Sequence, residues 1–342
     1  MPAKSAFAGN NVTTLLVSHL LNVRFGARIA ETAARGKSPV ELVVLPADPA
    51  ARLPDAECGR VELAFFSGDV VPDHSRQFFS TVRKAPRLQW LHAFNVGVDH
   101  PIYTEMLQRG VRLTTSAGST AEPIAQTAIM GLLALARGLP HWLAASRRHE
   151  WSPLTGNASP RDLRGQIVVI LGLGKIGSEI ARLARALGLT VIGVRRSPRK
   201  PGDPVDEMHP PAVLPDLLAR CDWLVLACPL TPETRGLVDA ALLARLPKGA
   251  RLINIARGEI VNEAALIAAL REGRLAGAYL DVFETEPLPP ASPFWDLPNV
   301  IVTPHNSAAA AGNDERVLEI FLDNLVRFHR GAALVNEVPK PD

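Results

Sequence analysis

Cysteine is scarce: Cys58, Cys221 and Cys228 are the only three in 342 residues. They form no C-x-x-C pair and stand at no metal-ligand spacing from the histidines. That argues against a disulfide framework or a zinc site, and it suits buried thiols in a reducing compartment. No metal is expected. A run of about 18 apolar residues is also lacking, and the start MPAKSAFAGNNVTTLLVSHL has no sustained apolar stretch behind Lys4. The expectation is a soluble, cytoplasmic protein with no membrane partner. Charge of one sign is missing too, since 37 Lys and Arg against 34 Asp and Glu leave +3. A nucleic-acid surface is therefore not expected, whereas a local anionic ligand is. The most local absence is that of any Asp or Glu between Ile180 and Gly202.

What is present is enough apolar sequence, 47% of the chain, for two domains of ordinary size. Residues 12 to 116 alternate apolar runs (TTLLVSHLL, VELVVLP, VELAFF, LQWLHAF, VRLTTS) with polar or helical stretches, the rhythm of a parallel sheet with crossover helices. Thr120 to Arg147 is Ala- and Leu-rich and reads as a long helix broken near Gly138 and Pro140. A second rhythm begins at Gly165 with QIVVILG, LTVIGV, WLVLACP, RLINIA, AGAYLDVF and VIVTPH. The closing segment NDERVLEIFLDNLVRFHRG has helical periodicity and is expected to return to the first unit. The fold class is thus α/β, two Rossmann/flavodoxin-like doubly wound parallel-sheet domains with an interdomain cleft. Residues 1–118 and 309–342 form the expected substrate (catalytic) domain, and 119–308 the dinucleotide-binding domain.

The stretch GLGKIG (Gly172, Leu173, Gly174, Lys175, Ile176, Gly177) puts three glycines in G-x-G-x-x-G register between a β-branched run and a helix. That context is what a pyrophosphate needs: a tight turn, close approach to backbone N–H groups at a helix N-terminus, and close helix–strand packing. At the end of the next strand a carboxylate would accept from the ribose 2′-OH of NAD. Arg195 and Arg196 stand there instead, followed by Ser197, Arg199 and Lys200. A 2′-phosphate is the natural anion for such a cluster, and a solvated basic loop is the bland alternative. NADPH is the expected cofactor, with NAD as the alternative.

Farther on, LINIARGEIVNEAAL, DVFETEP and TPHNS each place one ionisable side chain past an apolar strand: Arg257, Glu286 and His305. Strand carboxyl ends face the ligand crevice of a doubly wound fold, so chain-distant groups can meet there. A lone Arg-Gly or Thr-Pro-His is more often a turn than a site. Together they supply a cation for a 2-oxo acid, an imidazolium to donate a proton and a carboxylate to orient it.

With GLGKIG, CPLTPETRGLV, NIARGEIVNEAAL, GAYLDVFETEP and LPNVIVTPH in this order, the chain resembles the D-isomer-specific 2-hydroxyacid dehydrogenase family over roughly residues 85 to 330. The resemblance implies Arg257, Glu286 and His305 as catalytic, with Arg257 and His305 also touching substrate. It implies a substrate loop in FNVGVDH, with N–H groups near Val96 and Gly97 receiving the carboxylate, for which an ordinary turn is the alternative. It further implies that Asp281 meets the nicotinamide carboxamide, that Cys228, Pro229, Ala256, Arg257 and His305 line the cofactor, and that Trp295 packs.

Two positions depart from the usual family pattern: the arginines at 195 and 196, and Gln126, where many relatives carry Glu. The first makes the chain most like the NADPH-dependent glyoxylate/hydroxypyruvate reductases, which reduce a small 2-oxo acid to its D-2-hydroxy acid. A phosphoglycerate-like or aromatic 2-hydroxy acid is the alternative substrate, and a nucleotide-sensing, corepressor-like binding protein is the alternative class. Nothing after Asp342 resembles the regulatory domain of the longer phosphoglycerate dehydrogenases, so feedback by an amino acid is not expected. The Thr120 to Arg147 stretch is more apolar than one domain can cover, and relatives pair through it, which implies a homodimer.

Overall fold

The apolar runs become strands of two wholly parallel sheets in the computed structural model, which describes residues 12–36, 38–98 and 100–339. The described residues divide into two units. One runs to Ser119 and resumes at Ala311, and the other is Thr120–Ala310.

In the first unit β1 (Thr13–Val17), β2 (Val40–Val44), β3 (Leu63–Phe66), β4 (Trp90–Ala93) and β5 (Arg112–Thr115) line up in the order β2-β1-β3-β4-β5. Successive side chains go to opposite faces. Leu16, Ala64, Phe66, Leu91 and Leu113 therefore enter one core, and Leu15, Val17, Leu63, Phe65 and Trp90 enter another. The second of these cores is completed by the helix Asn313–His329 through Val317, Leu318, Phe321, Leu322 and Leu325. Phe321 stacks on Phe65 with centroids 4.3 Å apart, so the C-terminal segment belongs to this unit. The chain leaves and rejoins the unit at neighbouring points: Arg316 Nε donates to the carbonyl of Ser119 at 2.5 Å. The run TTLLVSHLL is not one strand, because Ser18 stops it. Its Oγ accepts from Leu21 N at 2.9 Å and caps the helix His19–Arg35.

The second unit has seven strands: β6 (Ile167–Leu171), β7 (Thr190–Val194), β8 (Glu207–His209), β9 (Trp223–Leu226), β10 (Ala250–Asn254), β11 (Leu275–Leu280) and β12 (Val300–Val302). Their order is β12-β11-β10-β9-β6-β7-β8. Alternation again feeds two cores, with Val169, Leu171, Leu224 and Leu226 on one face and Val168, Ile170, Trp223 and Val225 on the other. Because both faces are covered, the strands read as continuous apolar runs in the sequence. From β6 the chain steps to β7 on one side and then returns to β9 on the other, so the order reverses between β6 and β9. That is the place where an open α/β sheet offers a crevice to a ligand.

The Ala- and Leu-rich stretch forms two helices, Ala121–Arg137 and Leu139–Arg147, bent by 70°. The break is Gly138, whose φ of +76° is left-handed and suits glycine at a helix C-terminus. Among the described residues no single helix is long and apolar enough to cross a membrane. The first helix lies flush on β11 at Gly131. A Cβ there would stand 2.7 Å from Tyr279 Cδ2 and 2.9 Å from its Cβ.

Candidate active site

At the switch point, β6 ends at Leu171 and β9 at Leu226, paired in register, and the loops after the two strands pack on each other. Gly172 has φ +99°, and a Cβ on it would meet Cys228 N at 2.5 Å and Ala227 C at 2.6 Å. Gly177 in turn lies against the carbonyl of Gly172, leaving no room for a side chain. Gly174 differs: nothing lies within 4 Å of where its Cβ would be. Two glycines thus let the turn and the helix Lys175–Ala186 close on the sheet, and the middle one leaves open space. That space lies before the helix's first turn, whose N–H groups have no acceptor within the helix. The cradle fits a dinucleotide pyrophosphate.

Leu173 is buried, Ile176 partly so, and Lys175 is exposed. Across the crevice Cys228 and Ala256 are buried and Pro229 is exposed. Burial pushes the Cys228 thiol up to about 11, so it lines the cradle as an apolar group.

Past β7 the two arginines part company. Arg195 turns back on its own loop and clasps Asp203 with Nη1–Oδ1 at 3.1 Å and Nη2–Oδ2 at 2.5 Å. Its remaining donors reach the carbonyls of Ser197 and Pro198. Arg199 likewise donates to the carbonyls of Val205 and Asp206. Arg196 and Ser197 are exposed, and Arg196 makes no hydrogen bond or ion pair among the described residues. Its charge reaches the loop after β9. There the Thr231 hydroxyl, and to a lesser degree Arg196, holds the Glu233 carboxyl below its ordinary range. Asp203 stands one residue past the stretch that lacks carboxylates.

The other three candidates sit beyond three neighbouring strands, β10, β11 and β12. After β10, buried Asn254 folds the loop: its Oδ1 accepts from Ala256 N at 3.1 Å, and its Nδ2 donates to Arg257 O at 3.0 Å. Arg257 is exposed, with Nη1 on the Ala256 carbonyl at 2.7 Å. The next residue, Gly258, is pressed against the backbone of Phe283 and Glu284 in the loop after β11. From that loop Glu286 extends, its Oε1 fixed by Phe283 N at 2.9 Å. Glu286 Oε2 meets His305 Nδ1 at 2.7 Å. The His305 side chain is about half exposed (47%). A carboxylate on Nδ1 selects the tautomer and leaves Nε2 to exchange a proton outward.

His305 occupies a left-handed backbone position (φ +50°), and a buried carboxylate holds it there. Asp281 Oδ1 accepts from Thr303 Oγ1 at 2.6 Å and from Asn306 N at 3.0 Å, and Oδ2 accepts from Ser307 N at 3.1 Å. The Asp281 carbonyl takes His305 N at 2.8 Å. Tyr279 OH joins Thr303 Oγ1 at 2.7 Å, so the ring under Gly131 belongs to the same network. Asp281 is 0% exposed. The structure thus occupies it as a clamp on the His305 loop.

Trp295, expected to pack, is instead 51% exposed with Nε1 on the Pro289 carbonyl, and Phe294 beside it fills the core. Gln126 donates to Glu122 one helical turn earlier at 3.1 Å. Val96 and Gly97 belong to the first unit. Their turn is drawn together by Asn95, whose Nδ2 donates to Gly97 O and whose Oδ1 accepts from Tyr103 OH at 2.8 Å. Asp99 of the same loop lies outside the described residues. Sequence reasoning missed Asp203, Asn254, Tyr279 and Thr303. Only Asn254 left a local signal, an Asn at a strand end three residues before the arginine.

The model of the "D-isomer specific 2-hydroxyacid dehydrogenase, NAD binding domain" matches residues 129–307. The chain belongs to the D-isomer specific 2-hydroxyacid dehydrogenase family. Among curated D-2-hydroxyacid dehydrogenase relatives, a glyoxylate reductase of Thermococcus kodakarensis is 37% identical over 252 residues, covering 72% of this chain and 75% of that protein. Among solved members, a D-isomer specific 2-hydroxyacid dehydrogenase from Xanthobacter autotrophicus Py2, in complex with NADPH and MES, superposes with TM-score 0.74 at 31% identity. The match covers 96% of this chain and 98% of that one. An NADPH-dependent glyoxylate/hydroxypyruvate reductase from Sinorhizobium meliloti, in complex with NADP and sulfate, gives TM-score 0.71 at 31% identity over 96% and 99% of the two chains. The glycine cradle and the loops after β10 and β11, with His305 beyond β12, all lie within the span matched by the family's domain model.

Proposed function

We propose that this D-2-hydroxyacid dehydrogenase reduces a small 2-oxo acid of the glyoxylate or hydroxypyruvate kind to its D-2-hydroxy acid, with NADPH as reductant. The observation that carries the reading is the 2.7 Å Glu286–His305 pair, on strand ends of the sheet whose switch point holds the glycine cradle. The free guanidinium of Arg196 and the NADPH-bound relatives support the choice of cofactor. Bound in the cradle of Gly172, Gly174 and Gly177, NADPH supplies a hydride equivalent.

The chain's own residues do the rest. Arg257 binds the carboxylate of the 2-oxo acid and polarises its carbonyl. The carbonyl oxygen gains negative charge as its carbon is reduced, and His305 Nε2 gives it a proton. Glu286, bonded to Nδ1, keeps the ring turned and compensates its positive charge. Water then returns the proton to His305. The N–H groups of Val96 and Gly97 form the proposed carboxylate rest in the first unit. The proposed domain roles are substrate binding for that unit and dinucleotide binding for Thr120–Ala310.

A homodimer is part of the proposal, supported by the outward-facing Met130, Leu139, Trp142 and Leu143 on the two bent helices. A reducing, cytoplasmic setting is supported by three unpaired, buried thiols. Steady-state reduction of a panel of 2-oxo acids with NADPH and NADH tests the reading. Glyoxylate or hydroxypyruvate with NADPH should give the highest kcat/KM. Turnover restricted to large aromatic 2-oxo acids, or a preference for NADH, would overturn it.

A further inference from the structure

The proposed NADPH preference rests on a loop, residues 195 to 206, that joins two parallel neighbours, β7 and β8. A free loop with four cations would attract an anion without placing it. This one is closed by a single fork. Arg195 and Asp203 are 12% and 10% exposed as side chains, in a stretch where every other residue from Arg196 to Lys200 is exposed. The Asp203 carboxylate also accepts from Lys200 N at 2.6 Å, so it ties the first, middle and last parts of the turn. Of the five N–H groups of Arg195, four are committed within the loop: two to Asp203, one to Ser197 O and one to Pro198 O. A phosphate gripped by a guanidinium wants two parallel N–H groups from one edge, and Arg195 has one left. With Arg199 also turned inward, the groups the loop still presents outward are Arg196, the Ser197 hydroxyl and Lys200.

We infer that Asp203 is a specificity-determining positioning residue: its ion pair with Arg195 rigidifies the loop after β7 so that Arg196 and Ser197, and not Arg195, meet the 2′-phosphate of the cofactor. The inference rests on the NADPH reading above. It differs from a simple paired-arginine site in one respect. Arg195 and Asp203 act as a unit, and their contribution is pre-organisation rather than contact.

Calorimetric titration of the full chain with 2′,5′-ADP and with 5′-AMP separates the possibilities. Both probes carry the adenosine, and one carries the 2′-phosphate. Wild type should bind 2′,5′-ADP roughly 30-fold more tightly than 5′-AMP, and Arg196→Ala should lose most of that ratio. Arg195→Ala, Asp203→Ala and the double variant should each weaken 2′,5′-ADP by about the same threefold to tenfold, leaving 5′-AMP unchanged. Equal effects in the singles and the double are the mark of a coupled pair. Tighter 2′,5′-ADP binding in Asp203→Ala would overturn the inference, because it would mean that Asp203 merely withholds Arg195 from the phosphate. Additive losses would overturn it too. So would loss of 5′-AMP binding in Asp203→Ala, since the residue would then support the whole domain. A wild type that does not distinguish the two probes would instead refute the NADPH reading itself.

Discussion

Asp281→Asn separates two roles for one residue. In the protein, one carboxylate oxygen takes Thr303 Oγ1 and Asn306 N, and the other takes Ser307 N at 3.1 Å. An asparagine oxygen can keep the first two bonds. Its NH2 group then faces the Ser307 N–H, donor against donor, in a site closed to water. A lost charge-assisted bond is worth about 1.5–3 kcal/mol and an unsatisfied buried donor costs about 1–3 kcal/mol, so with partial relaxation roughly 2–4 kcal/mol of the clamp is lost. In a unit of this size that corresponds to a melting temperature lower by roughly 4 to 16 °C. The same energy had held the backbone of His305, so its ring now samples positions away from the substrate. Turnover should fall about tenfold to a hundredfold, short of the roughly hundredfold or more that complete loss of a general acid costs. Calorimetric melting, steady-state kinetics and cofactor titration on one sample measure all three quantities. The clamp predicts a cofactor Kd within about threefold of wild type. If Asp281 acts by touching the nicotinamide carboxamide, Kd rises severalfold while the melting temperature stays put, and that result would refute the clamp.

Three further outcomes follow from the geometry. His305→Ala should lower kcat by roughly a hundredfold or more while Glu286→Gln, which keeps a neutral hydrogen bond, should lower it less; equal losses in steady-state assays would mean that the Glu286 charge is essential. Burial depresses His92 to about 3, between Thr114 and Ser116, whereas the unfolded chain titrates near 6.5. The unfolded state therefore binds the extra proton in that window, and stability is full above about pH 6.5 and declines as pH falls toward 3. Between pH 8 and pH 5 wild type should lose roughly 2 kcal/mol more than His92→Gln, read from urea unfolding with hydrogen exchange across β4 and β5. Gly131→Ala should destabilise by about 1–3 kcal/mol in thermal melts, because the new methyl meets the Tyr279 ring.

Much of this was legible in the chain because the physics is local. A glycine turn between a β-branched run and a helix can be read in six residues, and Gly172, Gly174 and Gly177 have the three different surroundings that the motif demands. Arg257, Glu286 and His305 were legible as residues just past apolar strands. What sequence could not show was which partner each side chain would choose. Arg195 and Arg196 are equivalent on paper, yet a carboxylate eight residues after Arg195 claims it and leaves Arg196 free. Asp281 reads as the end of a strand, but its hydrogen bonds go to the Thr303 hydroxyl and to backbone groups 25 and 26 residues away, whose approach depends on β12 pairing with β11. The run TTLLVSHLL misled because apolarity is shared by strand and helix. Only the geometry of Ser18 divides it.

The bond between Arg316 and the Ser119 carbonyl bears on how such a chain is assembled. The first unit is interrupted in sequence by the whole of Thr120–Ala310, between its last strand and the helix that completes its core, yet the two edges of the cut lie one hydrogen bond apart. The inserted unit closes on itself in the same way, near its own ends, where Thr127 Oγ1 donates to the Ser307 carbonyl at 3.3 Å. A long excursion whose ends meet adds little to the entropy of closing the host, since that term grows only as the logarithm of length. The inserted unit is therefore a cassette. All five strands of the host sheet precede it in the chain, so their register does not depend on its length, and the helix that completes the host core is made only after it.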